Sequence, residues 1–185
     1  MSNLIQRSWF ALHVRSRHEK SVRAQLASKD HDVFLPLYSA RHKWSGRWTT
    51  VSLPLFPGYV FCRFDAPQRS SVLTTSGVLD VVRSGADPAP LDDSEIDAIR
   101  IAVESPLMLE PYTGLIRGDR VIMTGGPLSG VTGTLVEIRK NYRLVLSVEL
   151  LRRSVLIEID KEWAGPCEPA KAASEAVRDA FASLK

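Results

Sequence analysis

The sequence predicts an α+β sandwich followed by a small all-β barrel. Three observations predict it. Segments of strand and helix character alternate up to about residue 105. From about residue 117 to 163 short β-branched segments follow one another. Between them lies "SPLMLEPYTGLIRGD", Ser105–Asp119, with two prolines, two glycines and no clear periodicity. The 185 residues and an apolar share of 44% suffice for a core in each of two small domains.

The first element is "WFALHV", Trp9–Val14, aromatic and aliphatic with few breakers, hence a strand. "SRHE" follows. Ser16 and Glu19 have the spacing of a capping box, which predicts a helix running to about Ser28 with Val22 and Leu26 one turn apart on its buried face. "DVFLPLYSARHKW", Asp32–Trp44, reads as a second strand in which Pro36 marks an edge or a bulge. Ser45-Gly46 turns the chain, and "RWTTVSLPLF" returns along it. In "PLFPGYVFCRF", Pro54–Phe64, alternation puts Tyr59, Phe61 and Arg63 on one face and Val60, Cys62 and Phe64 on the other. "GVLDVVRSG", Gly77–Gly85, is a further strand. "DDSEIDAIRIAVES" is a helix with Asp92 at its N-cap, Glu95 three residues on, and Ile96, Ile99 and Val103 as its apolar stripe.

After the boundary, "DRVIMT", "VTGTLVEI", "RLVLSVEL" and "SVLIEID" supply four or five strands. Tight turns join them at Gly125–Gly130, Lys140-Asn141 and Arg152-Arg153. The span is short for a sandwich and fits a small barrel. In the tail "PAKAASEAVRDAFASL", Ala173, Val177, Phe181 and Leu184 recur at helical spacing.

Several function classes find no support. No run of about 18 apolar residues is present to span a membrane. The N-terminus has no signal-like apolar stretch. Cys62 and Cys167 stand outside any CxxC pair, so a reduced, cytoplasmic protein without metal or cofactor is expected. Cys62, inside an apolar strand, should be an inert buried thiol. His13, His18, His31 and His42 are scattered, with no carboxylate at a ligand spacing, and GxSxG, GxxxxGK[ST] and GxGxxG are all missing. Catalysis is therefore not expected.

Two surfaces stand out. The net charge of +3 hides an asymmetry: Arg7–Arg47 holds nine Lys/Arg against three Asp/Glu, and Trp48–Glu104 holds four against eight. Within the basic half, "ARHKWSGRW" interleaves Arg41, His42, Lys43 and Arg47 with Trp44 and Trp48 around a turn. Cations neutralise phosphates and indoles stack on unpaired bases, so this hairpin is a candidate nucleic-acid contact. Arg15, Arg17, Lys20 and Arg23 add charge at the first helix. The competing reading is a soluble hairpin tip whose tryptophans pack inward. In "FPGYVF", Val60 to Phe64 suit a core strand, whereas Phe56 and Tyr59 flank a Pro-Gly; they belong either to the core or to a protein-binding patch shared with Trp9 or Phe10.

Taken together, "SWFALHVRSRHEKSVRAQL", "PLFPGYVF" and "GVLDVVRSGADPAPLDDSEI" resemble, in order and spacing, the N-terminal (NGN) domain of NusG-type transcription elongation factors. "GDRVIMTGGPLSGVTGTLVEI" is similar to their KOW module, an SH3-like barrel. The resemblance covers about residues 8 to 162 and divides the chain into an NGN domain (6–105), a linker (106–116), a KOW domain (117–163) and a tail (164–185), whose helix-like part after Pro169 goes beyond the usual family pattern. The short hairpin "RHKWSGRWTTVSLPLFPGYVF" looks closer to specialised paralogues of the RfaH and LoaP kind than to housekeeping NusG.

The resemblance implies an antitermination or elongation factor that binds the large subunits of RNA polymerase. By position, the contact to the polymerase clamp helices would use Trp9, Phe10, His13, Phe56, Pro57, Tyr59 and Phe61, with His13 standing where Tyr is frequent. The contact to the second large subunit would fall at Arg69, Ser70 and Ser71, where the His-Thr-Thr-Thr run of RfaH is missing. Non-template DNA would meet Arg15, Arg17, His18 and Arg23; Arg41, Lys43, Trp44 and Arg47 of the hairpin remain candidate nucleic-acid contacts on the residue reading alone. Rho or a small-subunit ribosomal protein would meet the KOW loop at Pro127 and Leu128, where Leu replaces the usual Phe of Gly-Pro-Phe. In RfaH this domain can become a helical hairpin. Here "RLVLSVEL" and "SVLIEID" are β-branched, and a stable barrel is expected. A KOW-containing RNA-binding or ribosome-associated protein is the alternative.

Overall fold

The computed structural model describes residues 7–44, 46–65, 67–112, 118–138 and 141–167. In chain order the elements are β1 (Ser8–Val14), α1 (Glu19–Ala27), β2 (Asp32–Phe34), β3 (Leu37–Trp44), β4 (Arg47–Pro54), β5 (Tyr59–Phe64), α2 (Arg69–Leu73), β6 (Val78–Val81), β7 (Arg83–Ser84), β8 (Asp87–Pro88), β9 (Pro90–Leu91) and α3 (Asp93–Glu104). The second half holds β10 (Leu109–Tyr112), β11 (Asp119–Met123), β12 (Thr132–Ile138), β13 (Asn141–Val148), β14 (Arg153–Glu158) and β15 (Ala164–Pro166).

The N-terminal sheet is antiparallel, in the order β2-β5-β1-β6, with β9 beside the start of β1. Its register fixes two faces. Trp9, Ala11 and His13 of β1 pair with Arg63, Phe61 and Tyr59 of β5, while Phe10 and Leu12 pair with Cys62 and Val60. Trp9, Ala11, Phe61 and Tyr59 of the first set pack with Ile96, Ile99 and Ala102 of α3, and the second set packs with Val22, Leu26 and Val72 of α1 and α2. The sheet is thus covered by helices on both faces. Cys62 lies wholly inside, and burial pushes its thiol up to about 12.

Pro36 divides the expected second strand. Residues before it, β2, join the main sheet; residues after it, β3, leave to form a separate two-stranded ribbon with β4. A proline donates no ladder hydrogen bond, so it suits this departure. The helix α2 escapes a periodicity search because it has five residues. Ahead of it the Asp65 amide donates to Gln68 Oε1 (3.3 Å) and the Gln68 amide to Asp65 Oδ1 (3.1 Å), a reciprocal pair that precedes the helix, whose N-cap residue Gln68 makes no side-chain cap of its own.

The C-terminal sheet runs β10-β14-β13-β12-β11-β15, all antiparallel. Both ends extend the expected barrel. Leu109–Tyr112, anticipated as linker, pairs residue by residue with β14, and Ala164–Pro166, anticipated as the start of the tail, pairs with β11. Without them β14 and β11 would each offer unpaired backbone groups to other chains. Pro111 and Pro166 are tolerated because both strands are at an edge. Linker residues 113–117, the turn at Lys140 and the tail from residue 168, with its helical spacing, lie outside the described residues.

The two parts meet across α3. Ile96, Ile99 and Ala102 face the sheet, whereas Ser94, Glu95, Asp97, Ala98 and Ile101 line a cavity of about 430 Å³ shared with Val131, Gly133, Leu146 and Glu149 of the barrel. One apolar cluster runs through from Trp9 and Phe61 to Leu144 and Ile157.

Candidate protein and nucleic-acid interfaces

The stretch Phe56–Tyr59 forms a tight turn. The Tyr59 amide donates to the Phe56 carbonyl (3.1 Å), Pro57 occupies the second position and Gly58 the third, with φ +84°. This is a type II turn, whose third position requires φ > 0 and therefore favours glycine. The turn is pinned twice more: the Val14 amide donates to the Gly58 carbonyl (2.9 Å), and the Gly58 amide donates to Glu19 Oε1 (2.9 Å). The expected Ser16–Glu19 capping box does not form. His18 holds the N-cap position of α1 without a side-chain cap, and Glu19, 5% exposed, turns inward to the neighbouring turn. Its carboxylate still sits in the first turn of α1, where the helix dipole favours it.

The aromatic residues at this turn divide into floor and rim. Trp9, Phe56 and Phe61 are 3%, 1% and 0% exposed, so the expectation of an exposed Phe56 is corrected: it stands edge-on to Phe61 at 5.5 Å within the core. Phe10 is corrected too. Odd–even alternation places it on the opposite face, 4.5 Å from the Phe64 ring. The accessible rim is His13 and Pro57, both exposed, with half-buried Tyr59 whose ring is 5.6 Å from His13. At the far end of the same face, Arg100 lies over both Trp9 (5.6 Å) and Phe34 (5.1 Å).

The hairpin continues this division. Its register pairs Tyr38 with Leu53 and Ala40 with Val51 on one face, and Ser39 with Ser52, Arg41 with Thr50 and Lys43 with Trp48 on the other. Arg47 pairs with Trp44 and therefore shares the face of Tyr38, so the four expected hairpin contacts do not form one surface. Trp48 is 59% exposed, which overturns inward packing for it, and the Arg41 guanidinium lies 5.2 Å from its ring centre. Arg15, Arg17, His18 and Arg23 are all exposed. Arg15–His18 is itself a tight turn, closed by the His18 amide on the Arg15 carbonyl (3.0 Å), with Arg17 held at φ 64°.

At α2, Ser70 and Ser71 are exposed and Arg69 is half-buried. Ser71 is anchored by a pair that motif reading does not find. The Lys29 ammonium donates to the Ser71 carbonyl (3.0 Å) and to Thr75 Oγ1 (2.7 Å), and His31 Nε2 lies 3.2 Å from Ser71 Oγ. His31 is buried, and burial together with the Lys29 charge holds its pKa below the usual value. In the barrel, Pro127 is exposed but Leu128 is 0% exposed. Leu128 is therefore core and not a contact residue. Among the described residues no group of three or more His, Cys, Asp or Glu could hold a metal ion.

Fold and surfaces define a two-domain protein with separate apolar and cationic faces. The family described as transcription termination factor NusG matches residues 7–100, just over half of the chain. The chain belongs to the NusG family, whose members are transcription factors and not enzymes. Its curated relatives include the transcription termination/antitermination protein NusG of Rickettsia felis, 25% identical over 83% of this chain and 87% of that protein. NusG of Yersinia pestis is 27% identical over 86% and 96%. Among solved structures, Thermotoga maritima NusG, determined for its domain interaction, matches with a TM-score of 0.54 and 19% identity over 88% of this chain and 98% of that one. This last likeness bears on the fold alone.

Proposed function

We propose that the chain is a cytoplasmic transcription elongation and antitermination factor that binds RNA polymerase through the face of His13, Pro57 and Tyr59, continued along the hairpin by Tyr38, Leu53 and Val51. The observation that carries this reading is the rim of exposed His13 and Pro57 with half-buried Tyr59, standing on a turn held from three sides above a floor of buried aromatic rings. An aromatic rim with a rigid base suits a protein partner, since little side-chain entropy remains to be lost on binding. The protein acts by holding a conformation. Bound to the closed polymerase clamp better than to the open one, it biases that equilibrium, and about 1.4 kcal/mol of difference is a tenfold change.

Arg69, Ser70 and Ser71 on α2 are the proposed contact to the second large subunit. The exposed turn Arg15, Arg17 and His18, with Arg23, is the proposed contact to non-template DNA. A contact of the barrel with Rho or a small-subunit ribosomal protein would have to use Pro127 and its exposed neighbour Ser129, because Leu128 is core.

The test is a pull-down of polymerase with the double variant His13→Ala, Tyr59→Ala. Binding is expected to be lost while far-ultraviolet circular dichroism stays unchanged; undiminished capture would remove the polymerase assignment.

A further inference from the structure

We infer that the Arg41–Lys43–Trp48 face of the hairpin is a stacking site for an unpaired base of a DNA single strand. This deepens the proposed function and rests on its reading that the chain meets single-stranded DNA, not on which residues of the α1 turn do so. Four observations carry it. First, register gathers Arg41, Lys43 and Trp48 on one face with the hydroxyls of Ser39, Thr50 and Ser52. Second, that face is on the side of α1: Leu37, which shares it, packs into the core of Val22 and Leu26, whereas Tyr38 packs into the opposite core. The Lys20 ammonium donates to the Ser52 carbonyl at 2.8 Å and joins hairpin to helix. Third, the Trp48 indole is 59% exposed and already held against a guanidinium, a geometry that leaves a flat apolar surface beside fixed positive charge. Fourth, no Asp or Glu occurs between Asp32 and Asp65, so the whole hairpin carries cations only.

That charge pattern fits a polyanion better than a folded protein surface of mixed sign. The indole adds what phosphate neutralisation does not need. A base inside a duplex is stacked on its neighbours and hides its faces, whereas a single strand offers them to an aromatic ring. Hydroxyls beside the ring suit the phosphates on either side of the stacked base.

The experiment uses the full chain and a fluorescently labelled single-stranded DNA 12-mer, its duplex, and RNA of the same sequence, with binding read by anisotropy across a salt series. Trp48→Ala is expected to weaken single-strand binding roughly 5- to 150-fold with little change in salt slope, because stacking is lost and phosphate contacts remain. Trp48→Phe should keep most of the affinity. Arg41→Ala should flatten the salt slope, and Arg47→Ala, which removes the same charge from the other face, should do so less. Thermal melts establish that each variant is folded. Wild-type affinity in Trp48→Ala, equal affinity for the duplex, or preference for the RNA would each overturn the inference. The pair Arg15→Ala, Arg17→Ala separates the two readings. If that pair weakens binding and Trp48→Ala does not, the hairpin site falls and the α1 contact stands. If Trp48→Ala weakens binding and the pair does not, the hairpin site stands and the α1 contact falls.

Discussion

A carboxylate in the first turn of a helix can fold back to cap its own helix or reach outward. Glu19 and Glu95 both reach outward. Glu19 accepts the Gly58 amide, and Glu95 accepts the Glu149 amide of the barrel (3.1 Å) while Asp92 alone caps α3 through Ser94. Glu19→Ala leaves the half-buried Gly58 amide without its acceptor and should cost about 1–2 kcal/mol in urea denaturation, with Glu19→Gln recovering most of it. Glu95 is held above its ordinary value by burial, which outweighs the lowering effect of the Glu149 amide it accepts, with the nearby Glu149 charge adding to the rise. Its protonated form is therefore favoured where the two parts dock. Docking should be strongest at pH below the ordinary value of 4.5 and weaken as pH rises through the raised one. Glu95→Gln should keep the domains together at neutral pH, measured by small-angle scattering; a more extended particle than wild type would contradict this. Spacing alone marked both glutamates as caps, because a sequence cannot show that a better donor arrives from 39 or 54 residues away. Phe56 is the same lesson for an apolar side chain. As a core residue, Phe56→Ala should cost about 3–5 kcal/mol, so its loss of binding would report unfolding where Tyr59→Ala reports contact.

Elements with a strong period were legible: β1, α1, β5, α3 and the central barrel strands lie where alternation or a 3.6-residue stripe places them. Elements defined by pairing were not. Leu109–Tyr112 and Ala164–Pro166 have no pattern of their own and become strands because β14 and β11 offer them open edges. A fragment of residues 107–167 should accordingly melt at a higher temperature than one of residues 118–160, both giving β-type circular dichroism; equal melting would mean the two edge strands add nothing. The hairpin shows a subtler limit. Its composition announced a cationic surface, but the division of Arg41 and Lys43 from Arg47 depends on register, which the turn sets.

For the molecule as a whole, α3 is the shared wall: its apolar stripe completes the N-terminal core, and its opposite side receives the barrel. The order and spacing of several motifs made the family legible, since they span both parts, whereas the exposure of each site residue depended on packing that no single motif encodes. The cationic surface predicts a further whole-molecule behaviour. Recruitment to a paused polymerase on single-stranded DNA should fall steeply between 50 and 200 mM salt, on the order of tenfold or more if several phosphates are contacted, as read by gel shift. Binding to polymerase without nucleic acid should fall much less.

The hydrogen bond from Gly58 to Glu19 has a mechanical meaning. It ties the turn that carries Tyr59 to the helix start that carries Arg15, Arg17 and His18, so the distance between the proposed polymerase contact and the proposed DNA contact is set by one short rigid spacer. A protein that must hold an enzyme and its template together needs that distance fixed more than it needs either grip to be strong. Loosening the spacer with Glu19→Ala should leave each partner bound separately and lower the affinity for the two presented as one complex, whereas Glu19→Gln, which keeps the acceptor, should not.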